Sequence, residues 1–146
     1  MINKYEFKTQ LAKGQKYEEI LDEHFTQWYK IKPVSLQFQR LGIDRVFTDE
    51  NDIRITVEYK TDFRAEKTGN VFIELISVDK TQKPGWVQSS IAQLLVYYIP
   101  GRGIITIPMM EIKKRIKEWM KKYNVIYCAN KTYKSWGLVI PISEIE

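Results

Sequence analysis

Apolar positions recur with two different periods along this chain, and the periods predict its elements. In KYEEILDEHFTQWYK, Tyr17, Ile20, Leu21, Phe25 and Trp28 fall at helical spacing with charges on the other side, which predicts an amphipathic helix. SLQFQR alternates Leu36 and Phe38 with polar residues and reads as a short strand, followed by Gly42 and Asp44. TDEND reads as a turn. DIRITVEYKTD then alternates cleanly: Ile53, Ile55, Val57 and Tyr59 share one face, and Arg54, Thr56, Glu58, Lys60 and Asp62 the other. AEKTGN reads as a turn that reverses at Thr68-Gly69-Asn70, and VFIELIS as a mostly apolar, central strand. After Pro84-Gly85, WVQSSIAQLLVYYI is expected to be a buried helix that stops at Pro100-Gly101, and GIITI a short buried strand. IPMMEIKKRIKEWMKKY fits an amphipathic helix started by Pro108, with Ile112, Ile116, Trp119 and Met120 inward. NVIYCA and WGLVIPI are two further strands. The expected class is therefore α/β, a mixed central β-sheet flanked by helices.

Composition narrows this picture. The 146 residues show no repeat, low-complexity tract or linker, so 1–146 is expected to be one domain. A hydrophobic fraction of 44% with 13% aromatics supports a packed core and argues against disorder. No apolar run approaches the roughly 18 residues of a membrane span, and MINKYEFKTQLAKGQK is too polar for a secretory signal. The expected compartment is the cytoplasm. Cys128 is the one cysteine and His24 the one histidine, which excludes an internal disulfide and a zinc site built from the pair. Both read as packing residues, Cys128 as a small buried hydrophobe. The net charge of +5 favours polyanionic partners, because pairing with phosphates releases condensed counterions.

The candidate chemistry sits in GIDRVFTDENDIRITVEYKTD. Asp44 lies between Ile43 and Val46, where an unpaired carboxylate is costly and needs a partner: Arg45, a backbone cap or an ion. Carboxylates of Asp44 and Glu58 on adjacent strands could meet on one Mg²⁺, a hard ion that keeps several waters, with the main-chain carbonyl of Tyr59 as a third ligand. Lys60 projects on the same side as Glu58, within reach of an attacking water and a phosphate oxygen. Glu58 and Lys60 are also what the solvated face of any alternating strand carries. Glu18 borders the apolar stripe of the first helix, where it could hold metal-bound water, orient Lys60 or pair with a nearby base. Gln93 and Tyr97, four apart in the expected helix, would share a face; the plainer reading makes Tyr97 core and Gln93 a surface polar residue.

Taken in order, Gly14-x-x-x-Glu18, Gly42-Ile43-Asp44, Glu58-Tyr59-Lys60 and Gln93-x-x-x-Tyr97 resemble the motif set of the PD-(D/E)XK nuclease superfamily, most closely its RecB-type branch and phage relatives. The resemblance covers roughly residues 11–107 and implies the restriction-endonuclease-like αβββαβ core, here with an added C-terminal helix and strands. Ile43 stands where many members have proline, and the lack of a cysteine cluster excludes the iron–sulfur exonuclease subfamilies. It implies a Mg²⁺-dependent DNA endonuclease, with Mn²⁺ as an alternative ion, of homing, restriction or phage type. Asp44 and Glu58 would bind the ion, Lys60 would activate water and stabilise the transition state, and Glu18 would support the metal or its water. Gln93 would position the lysine or the scissile strand, with Tyr97 as its support.

Small nucleases of this kind pair their sites, so a homodimer or homotetramer on DNA is expected. Lys113, Lys114, Arg115, Lys117, Lys121 and Lys122 offer phosphate contacts, although the same residues make the ordinary wet face of a helix. The alternatives are a Holliday-junction-type resolvase, a catalytically inactive DNA-binding module, and a subunit-interaction protein using aromatics such as Tyr133 and Trp136.

Overall fold

The computed structural model describes the backbone of residues 4–146 and side chains from residue 12 onward. Helix α1 (Lys4–Phe25) leads into strand β1 (Lys30–Pro33), a helical turn α2 (Leu36–Gln39) and the antiparallel strands β2 (Arg45–Thr48) and β3 (Arg54–Thr61). The β2–β3 turn closes because the Asp49 carboxylate accepts the N–H groups of Asn51 and Ile53 at 2.8 and 2.9 Å. A second layer follows: α3 (Ala65–Thr68), β4 (Asn70–Val78), β5 (Lys83–Pro84) and α4 (Trp86–Ser89). The chain then returns as β6 (Leu94–Ile99) and β7 (Gly103–Pro108), and ends with α5 (Met109–Lys122), β8 (Val125–Ala129), β9 (Lys134–Pro141) and a 3₁₀ turn, Ile142–Glu144.

Two sheets result. The first is mixed, ordered β1-β2-β3-β6-β7, with β3 and β6 parallel and the other pairs antiparallel. The second is antiparallel, ordered β5-β4-β9-β8. The first sheet is covered on both faces. On one, Leu21 and Phe25 of α1 bury against Phe47, Val57, Tyr59 and Val96. On the other, Leu95, Tyr97, Ile99 and Ile107 join a core with Val71, Ile73, Leu138 and Ile140 of the second sheet and Ile112 and Trp119 of α5. The expected α/β class and mixed central sheet flanked by helices are what the chain adopts.

Two segments differ from expectation. SLQFQR is not a strand: Leu36–Gln39 form one helical turn, with Leu36 and Phe38 exposed. WVQSSIAQLLVYYI is not a buried helix: only Trp86–Ser89 are helical, and Leu94–Ile99 form β6. The second long helix of the αβββαβ order is therefore a four-residue turn, and the 62–93 crossover carries β4 and β5, which β8 and β9 from the C-terminal part complete into a second sheet. Smaller differences follow from packing. Ile20, Trp28 and Met120 face outward, and Cys128 is half-exposed on the second sheet. Among the described residues no helix is long and apolar enough to cross a membrane.

The end of α5 is pinned by one carboxylate. Glu144 accepts hydrogen bonds from the Tyr123 hydroxyl (2.5 Å), the Lys122 ammonium (3.1 Å) and the Trp119 indole N–H (3.1 Å). These donors hold its pKa down to about 2. An acid depressed on folding stabilises fully above its unfolded value, near 4.5, and loses that contribution as the pH falls through the folded one. Glu144→Gln is expected to lower Tm at neutral pH, with the gap to wild type narrowing between pH 4.5 and 2. Thermal melts across that range check it; a gap that stays constant to the acid end counts against this role for the carboxylate.

Candidate functional site

Asp44 stands at the mouth of the β2–β3 pair. Its N–H donates to the Val57 carbonyl at 2.8 Å, and its Oδ2 accepts the Tyr59 N–H at 2.8 Å. The side chain thus continues the ladder where the main chain has turned away, which answers how its burial is offset. Arg45 adds a second anchor by donating Nη1 to the Asp44 carbonyl at 2.8 Å. Gly42 lets the chain turn at φ +82°, and its carbonyl accepts the Ser90 hydroxyl at 3.0 Å. The Ser90 loop is thereby drawn against Asp44 and β3.

Glu58 and Lys60 project from β3 toward the second sheet, while Val57 and Tyr59 project toward α1. The sequence places Glu58 on a face that alternation alone would leave wet, yet it is 3% exposed. Its Oε1 is 3.0 Å from the Lys60 ammonium, and its Oε2 is buried without a hydrogen-bond partner. Burial pushes the Glu58 carboxyl above its usual range and the Asp44 charge adds to this, while Lys60 and the nearby Ser90 hydroxyl oppose it. A buried, half-satisfied carboxylate costs stability and is the kind of group that calls for a cation.

Glu18 reaches the same region from α1, but not freely. Arg45 donates Nη2 to it at 3.2 Å and also binds both Asp22 oxygens through Nε, at 3.0 and 3.1 Å. Asp22 in turn accepts the Tyr59 hydroxyl at 2.8 Å. Burial raises the Glu18 carboxyl, Arg45 opposes this and the Asp44 charge reinforces it. Glu18 and Lys60 line one small cavity of about 240 Å³ with Lys13, Tyr17 and Phe63. Of the roles weighed for Glu18, pairing to a nearby base is the one the contacts realise.

Gln93 is placed elsewhere. It lies just before β6, where its Oε1 accepts the Thr56 N–H at 3.0 Å and its own N–H donates to the Thr56 carbonyl at 3.0 Å. It locks the start of the β3–β6 pair and does not contact Lys60. The shared helical face expected for Gln93 and Tyr97 does not exist, since β6 is a strand. Tyr97 pairs in register with Lys60 and is buried, its hydroxyl donating to Asp62 Oδ2 at 2.6 Å. Burial, then the Asp62 charge, pushes that hydroxyl far above its ordinary value, so it stays protonated.

Three neighbours were not anticipated as parts of this site. Ser90 packs on Glu58 and Gly42. Glu74 of β4 approaches Lys60 across the gap between the sheets; burial raises its carboxyl, and the Lys60 ammonium and the Trp86 N–H oppose that. Trp86 of α4 presents its ring to Lys60, with Nζ 5.9 Å from the centroid. Only the Ser-Ser pair at 89–90, out of place in an apolar helix, could have flagged this loop from the sequence.

Asp44, Glu58 and Lys60 are therefore brought together, Glu18 lies beside them behind Arg45, and Gln93 is tied to Thr56, two residues before Glu58 on β3. Among the described residues no three His, Cys, Asp or Glu side chains converge as an ion cage. Two carboxylates, one with a buried unpartnered oxygen, do suit a hard divalent ion that keeps most of its waters. Comparison with protein-family models, curated proteins and solved structures finds no match to this chain, so the functional reading stands on these residues alone.

Proposed function

We propose that the chain is a metal-dependent DNA endonuclease of the PD-(D/E)XK kind, hydrolysing phosphodiester bonds. The observation that carries the reading is the buried, unpartnered Oε2 of Glu58, beside Asp44 and bracketed by Lys60. Asp44, Glu58 and the Tyr59 carbonyl are the groups that would hold Mg²⁺ or Mn²⁺. When bound, such an ion lowers the pKa of water and neutralises charge growing on phosphorus.

The chain's own residues do the rest. Glu58 and Asp44 concentrate negative charge at the mouth of β3, and the Tyr59 N–H fixes the direction of Asp44. Lys60, 35% exposed at its side chain, holds its ammonium 3.0 Å from the buried Glu58 carboxylate at the edge of the cleft, where a phosphate oxygen can meet its open side. That ammonium orients the attacking water and stabilises the extra charge of the pentacovalent transition state. Glu18 and Arg45 hold the α1 side of the site in place. One site cuts one strand, so a double-strand break requires a homodimer or homotetramer. The net charge of +5 suits a DNA partner.

A DNA-binding domain without chemistry is the second reading. It is favoured by Asp44 Oδ2 being committed to the Tyr59 N–H while Lys60 closes on Glu58.

The test is incubation of the purified chain with supercoiled, linear and four-way-junction DNA in Mg²⁺, Mn²⁺ or EDTA. Cleavage that needs the ion supports the first reading, and binding without cleavage under either metal supports the second. Preference for one long site points to a homing or restriction role, and preference for the junction to a resolvase.

A further inference from the structure

Lys60 belongs to two places at once. On one side it meets Glu58, and on the other it lines a cleft of about 560 Å³ between the two sheets. That volume lies within the roughly 300–1,000 Å³ of clefts that take small organic ligands. It admits a single nucleotide and not a paired duplex.

The lining of the cleft combines two kinds of surface. One is apolar: the Trp86 ring, Phe72 of β4, Val139 of β9 and Ile126 of the edge strand β8, all partly or largely open to solvent. The other is positive: its charge comes from Lys60, whose ammonium stands 5.9 Å from the Trp86 ring centroid, and from Arg64, which is exposed and forms no salt bridge among the described residues. Of the two carboxylates that also line the cleft, Asp62 is taken up by the Tyr97 hydroxyl and the Arg64 and Ala65 N–H groups, and Glu74 faces Lys60. A base needs the first kind of surface, because every base has a stackable face, and its phosphate needs the second.

We infer that this cleft binds an unpaired nucleotide of DNA, its base against Trp86 and Phe72 and its phosphate at Lys60 and Arg64. The inference rests on the nuclease reading of Lys60 and deepens it. The phosphate beside the seated base is the one next to Glu58 and Asp44, so the substrate class is single-stranded or frayed DNA, or a duplex from which one base has been drawn out.

The experiment measures binding of a labelled oligothymidylate and of a labelled blunt duplex to the full chain in EDTA, and cleavage of both in Mg²⁺ and Mn²⁺. The expected result is tighter binding of the single strand, weakened about tenfold by Trp86→Ala and largely kept by Trp86→Phe. Trp86 touches the core, so Ile126→Asp provides an independent variant. Ile126 is 39% exposed on an edge strand, and a carboxylate there puts a solvated charge on the apolar surface the base would cover, without disturbing packing. It is expected to weaken single-strand binding to a similar degree while leaving the melting temperature near wild type.

Equal binding of single strand and duplex, unchanged by either Trp86→Ala or Ile126→Asp, overturns the cleft as a nucleotide site. In that case ion-dependent cleavage of duplex would leave the nuclease reading standing. Absence of cleavage with either ion, alongside Trp86-dependent binding of the single strand, supports the cleft and overturns the nuclease.

Discussion

Lys60→Met is expected to slow ion-dependent DNA cleavage at least about a hundredfold, while binding of DNA falls no more than a few-fold. Removing one preorganised group that meets developing charge costs about 10²–10³ in rate, and binding is spread over many surface cations. The variant has a second effect that must be separated from the first. It leaves Glu58 buried without the one ion-pair partner it has among the described residues, at 3.0 Å in the wild type. Breaking such a pair destabilises by several kcal/mol when both groups are fully buried. Lys60 is partly exposed, so about 1–2 kcal/mol is expected here. Glu58→Gln combined with Lys60→Met removes both charges and should regain most of that stability without regaining activity. Asp44→Asn completes the set: an amide oxygen can still accept the Tyr59 N–H, so the turn is kept and the charge offered to an ion is lost. Its cleavage should fall as far as that of Lys60→Met, with little change in Tm. Initial rates at saturating Mg²⁺, DNA binding by anisotropy and thermal melts check all three. Cleavage by Lys60→Met within a few-fold of wild type would remove the lysine from the chemistry.

The elements that period alone could identify were those whose burial is set by one neighbour. Leu21 and Phe25 mark α1 because a single sheet face covers them, and the β3 alternation survives because α1 takes Val57 and Tyr59. The run from Trp86 to Ile99 was illegible for a physical reason: a fully buried strand and a fully buried helix are both apolar all round. What separates them here is the β-branched and aromatic LLVYYI and the Ser-Ser break before it. Leu36 and Phe38 alternate like a strand, but they lie in a helical turn and remain exposed, so alternation there reports no buried face.

The site divides in the same way. Asp44, Glu58 and Lys60 could be placed because a turn and an adjacent strand set their proximity locally. Gln93 could not, because its role depended on a helix that does not form. Burial of Glu58 and the approach of Glu74 come from a second sheet laid over the first, a non-local event without any spacing signature. Arg45 reads from the sequence as a partner for its neighbour Asp44, whereas its guanidinium chiefly gathers Glu18 and Asp22 across 27 and 23 residues of chain.

Gly42→Ala is expected to be strongly destabilising, by about 3 kcal/mol, or roughly 10 °C in Tm. Two costs add. The residue sits at φ +82°, where an L side chain pays about 1–2 kcal/mol. A Cβ there would also lie 2.6 Å from Ser90 Oγ and 2.7 Å from Ser90 Cα, and the Cα cannot swing aside as a side-chain tip would. Gly69→Ala is the control, because it shares a positive φ of +72° but meets nothing within 4 Å. It should cost about 1 kcal/mol, so the difference between the two variants isolates the Ser90 contact. Relief must come from moving the Ser90 loop, and that loop helps to bury Glu58 and hold the turn before Asp44. Gly42→Ala should therefore lose cleavage even well below its melting temperature, whereas Gly69→Ala keeps it. Melts and cleavage rates on the two alanine variants decide the matter: equal Tm losses, with activity retained in both, would show that the close approach of Gly42 to Ser90 does not hold the carboxylates together.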